Sequence, residues 1–173
     1  MIVGGKRDRL IEMNFTDMIE DSLTALGWFD SDNSLMDGTL EILDEPVDSI
    51  IEVKPNKIAV TAENSFGEDA EMGSGLENIR WEYYVEIFAE SKAVGKHLSG
   101  DIRDILKGKM PSIGRSEPLF VVYDTTVATP PELFTCGIEE VEDQRTHSFS
   151  DSIRQYWWTV ACVVTDNYWN END

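Results

Sequence analysis

Residues 79–90 read Ile-Arg-Trp-Glu-Tyr-Tyr-Val-Glu-Ile-Phe-Ala-Glu, and their alternation is the feature that decides the fold class. Every second side chain from Trp81 to Ala89 is apolar or aromatic, whereas the intervening ones from Arg80 to Glu90 are mostly charged. A period of two places the two sets on opposite faces of a strand, and aromatic residues favour strands. The segment therefore predicts a half-buried β-strand.

Two amphipathic helices are predicted, over residues 7–27 and 92–106, because apolar side chains recur there at three- and four-residue steps. The first stripe comprises Leu10, Ile11, Phe15, Met18, Ile19, Leu23 and Leu26. The second comprises Ala93, Val94, His97, Leu98, Ile102, Ile105 and Leu106. Gly27 is a suitable end for the first helix, and Gly108 with Pro111 ends the second.

The rest of the chain predicts shorter strands, one loop and a hairpin. Strands are expected at 39–43, 57–63 and 119–123, a glycine-containing loop at 64–75, and a long hairpin with arms 135–146 and 152–166. This order predicts an α+β fold, with a mostly antiparallel sheet, both main helices on one face and a long C-terminal β-hairpin. We expect one domain over residues 1–173, with its core at 7–166 and a flexible C-terminal tail at 167–173.

The hairpin pattern also makes a prediction about register. If the hairpin is centred on Phe149 without bulges, Cys136 faces Cys162, Ile138 faces Val160, and Glu140 faces Trp158. The two thiols would then be neighbours, without a disulfide. Two cysteines are too few for a disulfide framework, so a reducing compartment is expected.

The net charge of the chain limits the classes of partner that it is expected to bind. The chain has 34 acidic and 14 basic residues, a formal net charge of −20, and a pI of about 4.2. Such a surface disfavours tight binding to nucleic acid and to anionic membranes, because both need Lys and Arg. The N-terminus lacks the apolar region of a secretory signal, and the longest apolar stretch, 156–164, is too short to span a bilayer.

The sequence gives only weak evidence for a catalytic or metal-binding site. His97 and Asp101 form an i, i+4 pair, but a second pair with ligand spacing is missing. Asp30, Asp32, Ser34 and Glu41 match the spacing of a calcium loop, yet Leu35 replaces the required glycine, so an acidic turn is preferred and calcium binding stays open. Nucleophile-elbow and phosphate-binding motifs are absent from the sequence. We expect no enzyme, no cofactor and no metal.

Aromatic residues are the more informative feature. Both faces of the strands at 79–90 and 154–164 carry large side chains, and helices on one sheet face cannot bury both sets. Either a second layer covers the other face, or that face is a protein interface, where Tyr and Trp are favoured. A purely internal role remains the alternative. The candidate interface residues are Trp81, Tyr83, Tyr84, Phe88, Tyr156, Trp157 and Trp158.

The order of elements and several local patterns resemble the tail-terminator (tail-completion, head–tail joining) proteins of long-tailed bacteriophages. The resemblance covers roughly residues 7–166. It rests on the helix ending at Leu26-Gly27, the strand at 58–61, the glycine-containing loop at 71–75, the aromatic strand at 81–89, and a final helix. That helix has the form G-x-x-L-x-x-x-I-R-x-x-L-x-G, starting at Gly95. The acidic run 139–143 and the segment 167–173 depart from the family pattern.

The resemblance implies a structural virion protein, assembled in the host cytoplasm, that forms a hexameric ring. Such a ring caps the tail tube, joins it to the head connector, and lets DNA pass through its lumen without tight binding. Acidic walls suit that task because they leave phosphate hydrated and mobile. We expect the 64–75 loop to reach the lumen or the tube, through Glu68, Asp69, Glu71, Met72, Gly73 and Gly75. The alternative is an acidic protein-binding module, such as a DNA mimic or another phage neck or minor tail component.

Overall fold

The computed structural model describes residues 4–33, 40–43, 56–69, 77–144 and 156–167. Two helices and a short 3-10 turn accompany six strands in these ranges. In chain order the elements are α1 (Gly4–Ala25), β1 (Glu41–Leu43), β2 (Lys57–Asp69), β3 (Glu77–Ala89), α2 (Lys92–Leu106), the 3-10 turn (Pro111–Ile113), β4 (Leu119–Tyr123), β5 (Glu132–Gln144) and β6 (Tyr156–Asn167). Within these ranges, neither helix has an apolar run long enough to cross a lipid bilayer.

The strands form one curled sheet in the order β1-β2-β3-β6-β5-β4. Only the β1–β2 pair is parallel; the four other described pairs are antiparallel. β3 is one of the two central strands and pairs with β2 on one side and with β6 on the other. The predicted α+β class, with a mostly antiparallel sheet and a C-terminal hairpin, is confirmed.

Both helices pack on the same face of this sheet, which we call the inner face. The alternate residues of β3 that point to it are Trp81, Tyr83, Val85, Ile87 and Ala89, and all are buried. Phe15 of α1 lies at the centre, with its ring 4.6 Å from that of Tyr83 and 5.6 Å from that of Phe120 on β4. Each large apolar side chain buried in this way contributes about 1.5–3 kcal/mol to folding. The apolar faces of the strands and of the helices thus form one common core.

The helix ends follow the sequence signals. Gly27 has a φ of 82°, and the amide of Trp28 donates to the carbonyl of Leu23 at 3.0 Å, which closes the first helix. At the start of α2, the Ser91 hydroxyl accepts from the amide of Val94 at 3.2 Å. The first helix begins at Gly4, three residues before its predicted start.

One glycine of α2 permits a close approach between helix and sheet. Gly95 lies under the indole of Trp158 on β6, and a β carbon at this position would overlap the six-membered part of that ring. Gly100, one and a half turns later, has only Arg103 Nη2 near its β-carbon position, at 4.0 Å. The glycine at 95 is therefore required by packing, and the one at 100 is not.

The predicted loop at 64–75 is wrong for its first half. β2 continues through Asp69, which pairs with Glu77, and its register shifts once between Ala62 and Ser65. The residues of this stretch are mostly polar, so they show no alternation that would indicate a strand. They form one because their backbone groups hydrogen-bond to β3, and these bonds do not depend on the side chains. The strands β2 and β3 therefore form a long hairpin, and residues 70–76 lie outside the described ranges.

The predicted register of the C-terminal hairpin is also wrong. Ile138 pairs with Val164 rather than Val160. On the near side of the bulge, Gln144 pairs with Thr159, already five positions from the partner predicted for it, and the bulge between Glu139 and Glu142 changes that offset by only one residue. Glu140, within that bulge, has a φ of 51° and does not face Trp158. The predicted turn at 147–151 lies outside the described residues.

The two cysteines, both free and buried, consequently do not face each other across the hairpin. Cys136 pairs with Phe120 on β4, and Cys162 pairs with Tyr83 on β3. Burial raises the pKa of each thiol to about 12. It also raises the pKa of the Tyr83 hydroxyl above its ordinary value.

We expect stability to fall at alkaline pH. Above about pH 9 the thiols ionise in the unfolded chain but stay protonated in the folded one, so the unfolded state binds fewer protons. The free energy of unfolding should therefore drop between about pH 9 and pH 12, by about 1.4 kcal/mol per pH unit for each thiol. Urea denaturation across this range measures the slope, which Cys162→Ala should make shallower. A flat profile would contradict the burial of the thiols.

Candidate interaction surface

The face of the sheet opposite the helices, here called the outer face, is the candidate site. The β3 side chains that project from it are Arg80, Glu82, Tyr84, Glu86 and Phe88, and those of β6 are Trp157, Thr159, Ala161, Val163 and Thr165. Neither α1 nor α2 packs on it, because both contribute to the core of the inner face. The outer face thus combines a row of ionisable groups with aromatic side chains.

An aromatic pair occupies one end of the outer face. The rings of Phe88 and Trp157 are 5.7 Å apart and nearly parallel, at 20°, and they pack with Ala59 of β2. Phe88 is only 1% exposed, whereas Trp157 is half-buried. At this end of the face the Trp157 indole is therefore partly accessible to a partner, whereas the Phe88 ring is covered.

Carboxylates dominate the middle of the outer face. Burial and the neighbouring Glu63 raise the pKa of Glu86. The pKa of the Tyr84 hydroxyl is also raised, by burial and then by the charges of Glu82 and Glu63. These neighbouring carboxylates repel one another and create a negative electrostatic potential on the outer face. A cationic group from a partner would reduce this repulsion.

A clamp of opposite charges lies at the other end. Arg80 Nη2 donates to Glu140 Oε1 at 2.9 Å and lies 3.9 Å from Glu139 Oε2. The bulge of β5, with Glu140 at positive φ, is what lets two consecutive carboxylates approach the same guanidinium. Both carboxylates are more than half exposed, so the clamp adds shape and charge pattern rather than much stability.

The structure divides the seven predicted interface residues between two faces. Tyr84, Phe88 and Trp157 lie on the outer face, as the alternation indicates. Trp81 and Tyr83 lie in the core, 3% and 1% exposed. The remaining two, Tyr156 and Trp158, are half-buried with rings 6.0 Å apart, and Trp158 packs over α2. Of the seven predicted residues, Tyr84 and Trp157 are therefore the two that are partly accessible on the outer face.

The predicted lumen-facing set lies mostly beyond the described residues. Glu68 and Asp69 are the last two residues of β2, paired with Asn78 and Glu77. Glu71, Met72, Gly73 and Gly75 lie outside the described ranges.

The weak metal candidates have other roles. Asp101 Oδ2 accepts from Trp28 Nε1 at 2.8 Å and lies 3.9 Å from His97 Nε2, so this carboxylate fixes the buried indole. Glu41 of the calcium-loop pattern pairs with Lys57 at 3.1 Å, and Ser34 lies outside the described residues. Across the part of the chain that the structure describes, no three His, Cys, Asp or Glu side chains are grouped to hold a metal ion.

A groove beside β4 was not predicted from the sequence. It has a volume of about 650 Å³ and lies between α1 and β4, with a lining that includes Asn14, Asp17, Asp21, Arg115, Val121 and Tyr123. The available signal was a polar residue, Asn14, within the apolar stripe of the first helix, followed by two carboxylates one turn apart.

Comparison with protein-family models gives no match, and comparison with curated protein sequences gives no significant match. Any assignment of function therefore depends on the geometry of the described residues and on the patterns in the sequence.

Proposed function

We propose that the chain is a ring-forming tail terminator, a structural virion protein that caps a phage tail tube and joins it to the head connector. The observation that supports it best is the outer face of the sheet, where Tyr84 and Trp157 are accessible beside the carboxylates of Glu82 and Glu86. Tyr and Trp are enriched in protein interfaces because they bury much area for few rotatable bonds. A subunit with such a face suits assembly with copies of itself.

A ring also needs a second, different patch on each subunit, because its contacts are head-to-tail. The solvent side of α2 offers one. Lys92 and Lys96, one turn apart, and Lys109 beyond the helix are exposed, and within the described residues none of them forms an ion pair. These lysines complement the acidic outer face, so the proposed contact joins the outer face of one subunit to the α2 side of the next.

The overall charge supports the second half of the proposal. A net charge of −20 suits a channel through which DNA slides, because acidic walls neither displace counterions nor hold the phosphates. The ring would thus line the path of DNA without binding it tightly.

The test is assembly of the purified full chain with a variant of the outer face. Tyr84→Arg should abolish ring formation, because it places a cation against the α2 lysines of the neighbouring subunit. Six copies of the 19.6 kDa chain correspond to about 118 kDa, which light scattering after size exclusion measures, and negative-stain images show the ring directly.

The matched control is Thr24→Arg, which adds the same charge at an exposed position of α1 and should assemble like the unmodified chain. Rings formed equally well by Tyr84→Arg would contradict the placement of the interface. A chain that stays monomeric and binds a basic polypeptide would instead support the alternative, an acidic binding module.

A further inference from the structure

β4 is the outermost of the described strands, and no other described strand pairs with its second edge, whose backbone groups can be assigned. Ile138 N donates to the carbonyl of Pro118 at 2.7 Å, and the same register pairs Phe120 with Cys136 and Val122 with Phe134. In an antiparallel ladder the hydrogen-bonded pairs alternate, so the even-numbered residues of β4 bond to β5. The backbone groups of the odd-numbered residues 119, 121 and 123 therefore point away from the sheet.

Side chains occupy both ends of this edge. Asn14 of α1 gives Tyr123 the pair of bonds that a neighbouring strand would give: Nδ2 donates to its carbonyl at 3.1 Å, and Oδ1 accepts from its amide at 3.1 Å. At the other end, Arg115 Nη1 donates to the carbonyl of Leu119 at 2.8 Å. Between them, the amide and carbonyl of Val121 bond to no described residue. One hydrogen-bonding position of the edge is thus open.

The β4 groove runs alongside this open position. On the α1 side it is lined by Asp17 and Asp21, neither of which forms an ion pair with a described residue. Partial burial and the charge of Asp21 raise the pKa of Asp17. Arg115 also lines the groove, but it bonds to the carbonyls of Leu119 and Ile105. The two carboxylates therefore lack a cation that the groove has room to hold.

We propose that the β4 groove docks an extended segment of a partner protein, one residue of which pairs with Val121 while a flanking Lys or Arg reaches Asp17 and Asp21. Strand addition of this kind draws affinity from main-chain hydrogen bonds and specificity from alternate side chains. The residue opposite Val121 directs its side chain towards the outer face, so its two neighbours point to the α1 side. A basic side chain at either neighbour meets the carboxylates.

The test uses three synthetic peptides with blocked termini and a fluorescent label. The first is Thr-Val-Lys-Val-Lys-Val-Thr, the second replaces both lysines by glutamate, and the third carries an N-methyl group on the central valine. Fluorescence anisotropy with the full chain should show the first binding at least about tenfold more tightly than either of the others. Hydrogen exchange at the Val121 amide should slow only with the first peptide.

Two variants of the groove test the same contacts from the side of the protein, and both should weaken peptide binding. Val121→Pro removes the outward amide and leaves the bonds to β5 intact, which an edge strand tolerates. Asp17→Asn combined with Asp21→Asn removes the charge. Each should weaken binding of the first peptide at least about tenfold, whereas Glu20→Gln, on the exposed side of the same helix, should leave it unchanged.

The proposal is overturned if the first peptide fails to bind, if all three peptides bind equally, or if Val121→Pro abolishes self-association instead of peptide binding, which would assign the edge to a second copy of the chain. Should Val121→Pro not fold, the N-methylated peptide tests the same backbone bond with the unmodified protein.

Discussion

Replacing Asp166 by Ala should lower the free energy of unfolding by about 3–5 kcal/mol, because it removes the carboxylate that pairs with a buried guanidinium. Asp166 of β6 forms an ion pair with Arg7 of α1, and the two side chains are 2% and 9% exposed. The guanidinium carbon of Arg7 also lies 4.5 Å from the centre of the Phe134 ring, so this cation is enclosed by protein. Water cannot replace the missing carboxylate there without opening the packing between the first helix and the last strand.

Urea denaturation at neutral pH measures the loss, and an exposed ion pair provides the control. Arg103 and Asp143 lie 3.9 Å apart with both side chains about a third exposed, so Asp143→Ala should cost less than about 1 kcal/mol. The double variant Arg7→Met with Asp166→Ala should recover most of the loss, because it removes both buried charges together. Equal effects of Asp166→Ala and Asp143→Ala would show that the Arg7 pair is accessible to water.

Gly95→Ala should destabilise the protein by about 1–3 kcal/mol, although alanine is the better helix former by about 1 kcal/mol. The added methyl group would overlap the Trp158 ring, which packs between α2 and Tyr156 and can move only by shifting its neighbours. Overpacking of this kind outweighs the gain in helix propensity, so the sign of the usual glycine-to-alanine effect is reversed.

Gly100→Ala in the same helix is the matched control. Its β carbon meets only the mobile end of Arg103, so this change should stabilise the protein by about 0.5–1 kcal/mol. Thermal unfolding followed by circular dichroism compares the two variants, and adding Trp158→Leu to Gly95→Ala should remove much of the penalty. Stabilisation by Gly95→Ala would contradict the packing of Trp158 on the helix.

The elements of the fold were predictable because their side-chain periods are strong. The alternation from Trp81 to Ala89 and the helical stripes through Phe15 and Leu98 each required one secondary structure, and the order of elements then indicated the α+β class. The hairpin register was not predictable, since the two arms are offset by five positions from a hairpin centred on Phe149, and a bulge in which Glu140 adopts a positive φ then changes that offset by one. Glutamate gives no sequence signal for that conformation, unlike glycine or asparagine.

The candidate site was predictable only in part. Alternation separated Tyr83 from Tyr84, but the face on which the helices pack is decided by the whole core. Trp81 and Tyr83 were therefore grouped with residues of the opposite face. The contacts of Asn14 with Tyr123, and of Arg7 with Asp166, join residues 109 and 159 positions apart. Neither contact has a local pattern that a sequence reveals.

The order of strands constrains how the molecule can be made in the cell. β3, one of the two middle strands, is flanked by β2, its predecessor in the chain, and by β6, which follows it by two further strands in the described sequence. Until residues 156–167 have been synthesised and have left the ribosome, one hydrogen-bonding side of β3 has no native partner and the N-terminal helix lacks the carboxylate that matches Arg7. Strands made early therefore wait for a distant segment before the sheet can close, which is the slow, non-local kind of folding.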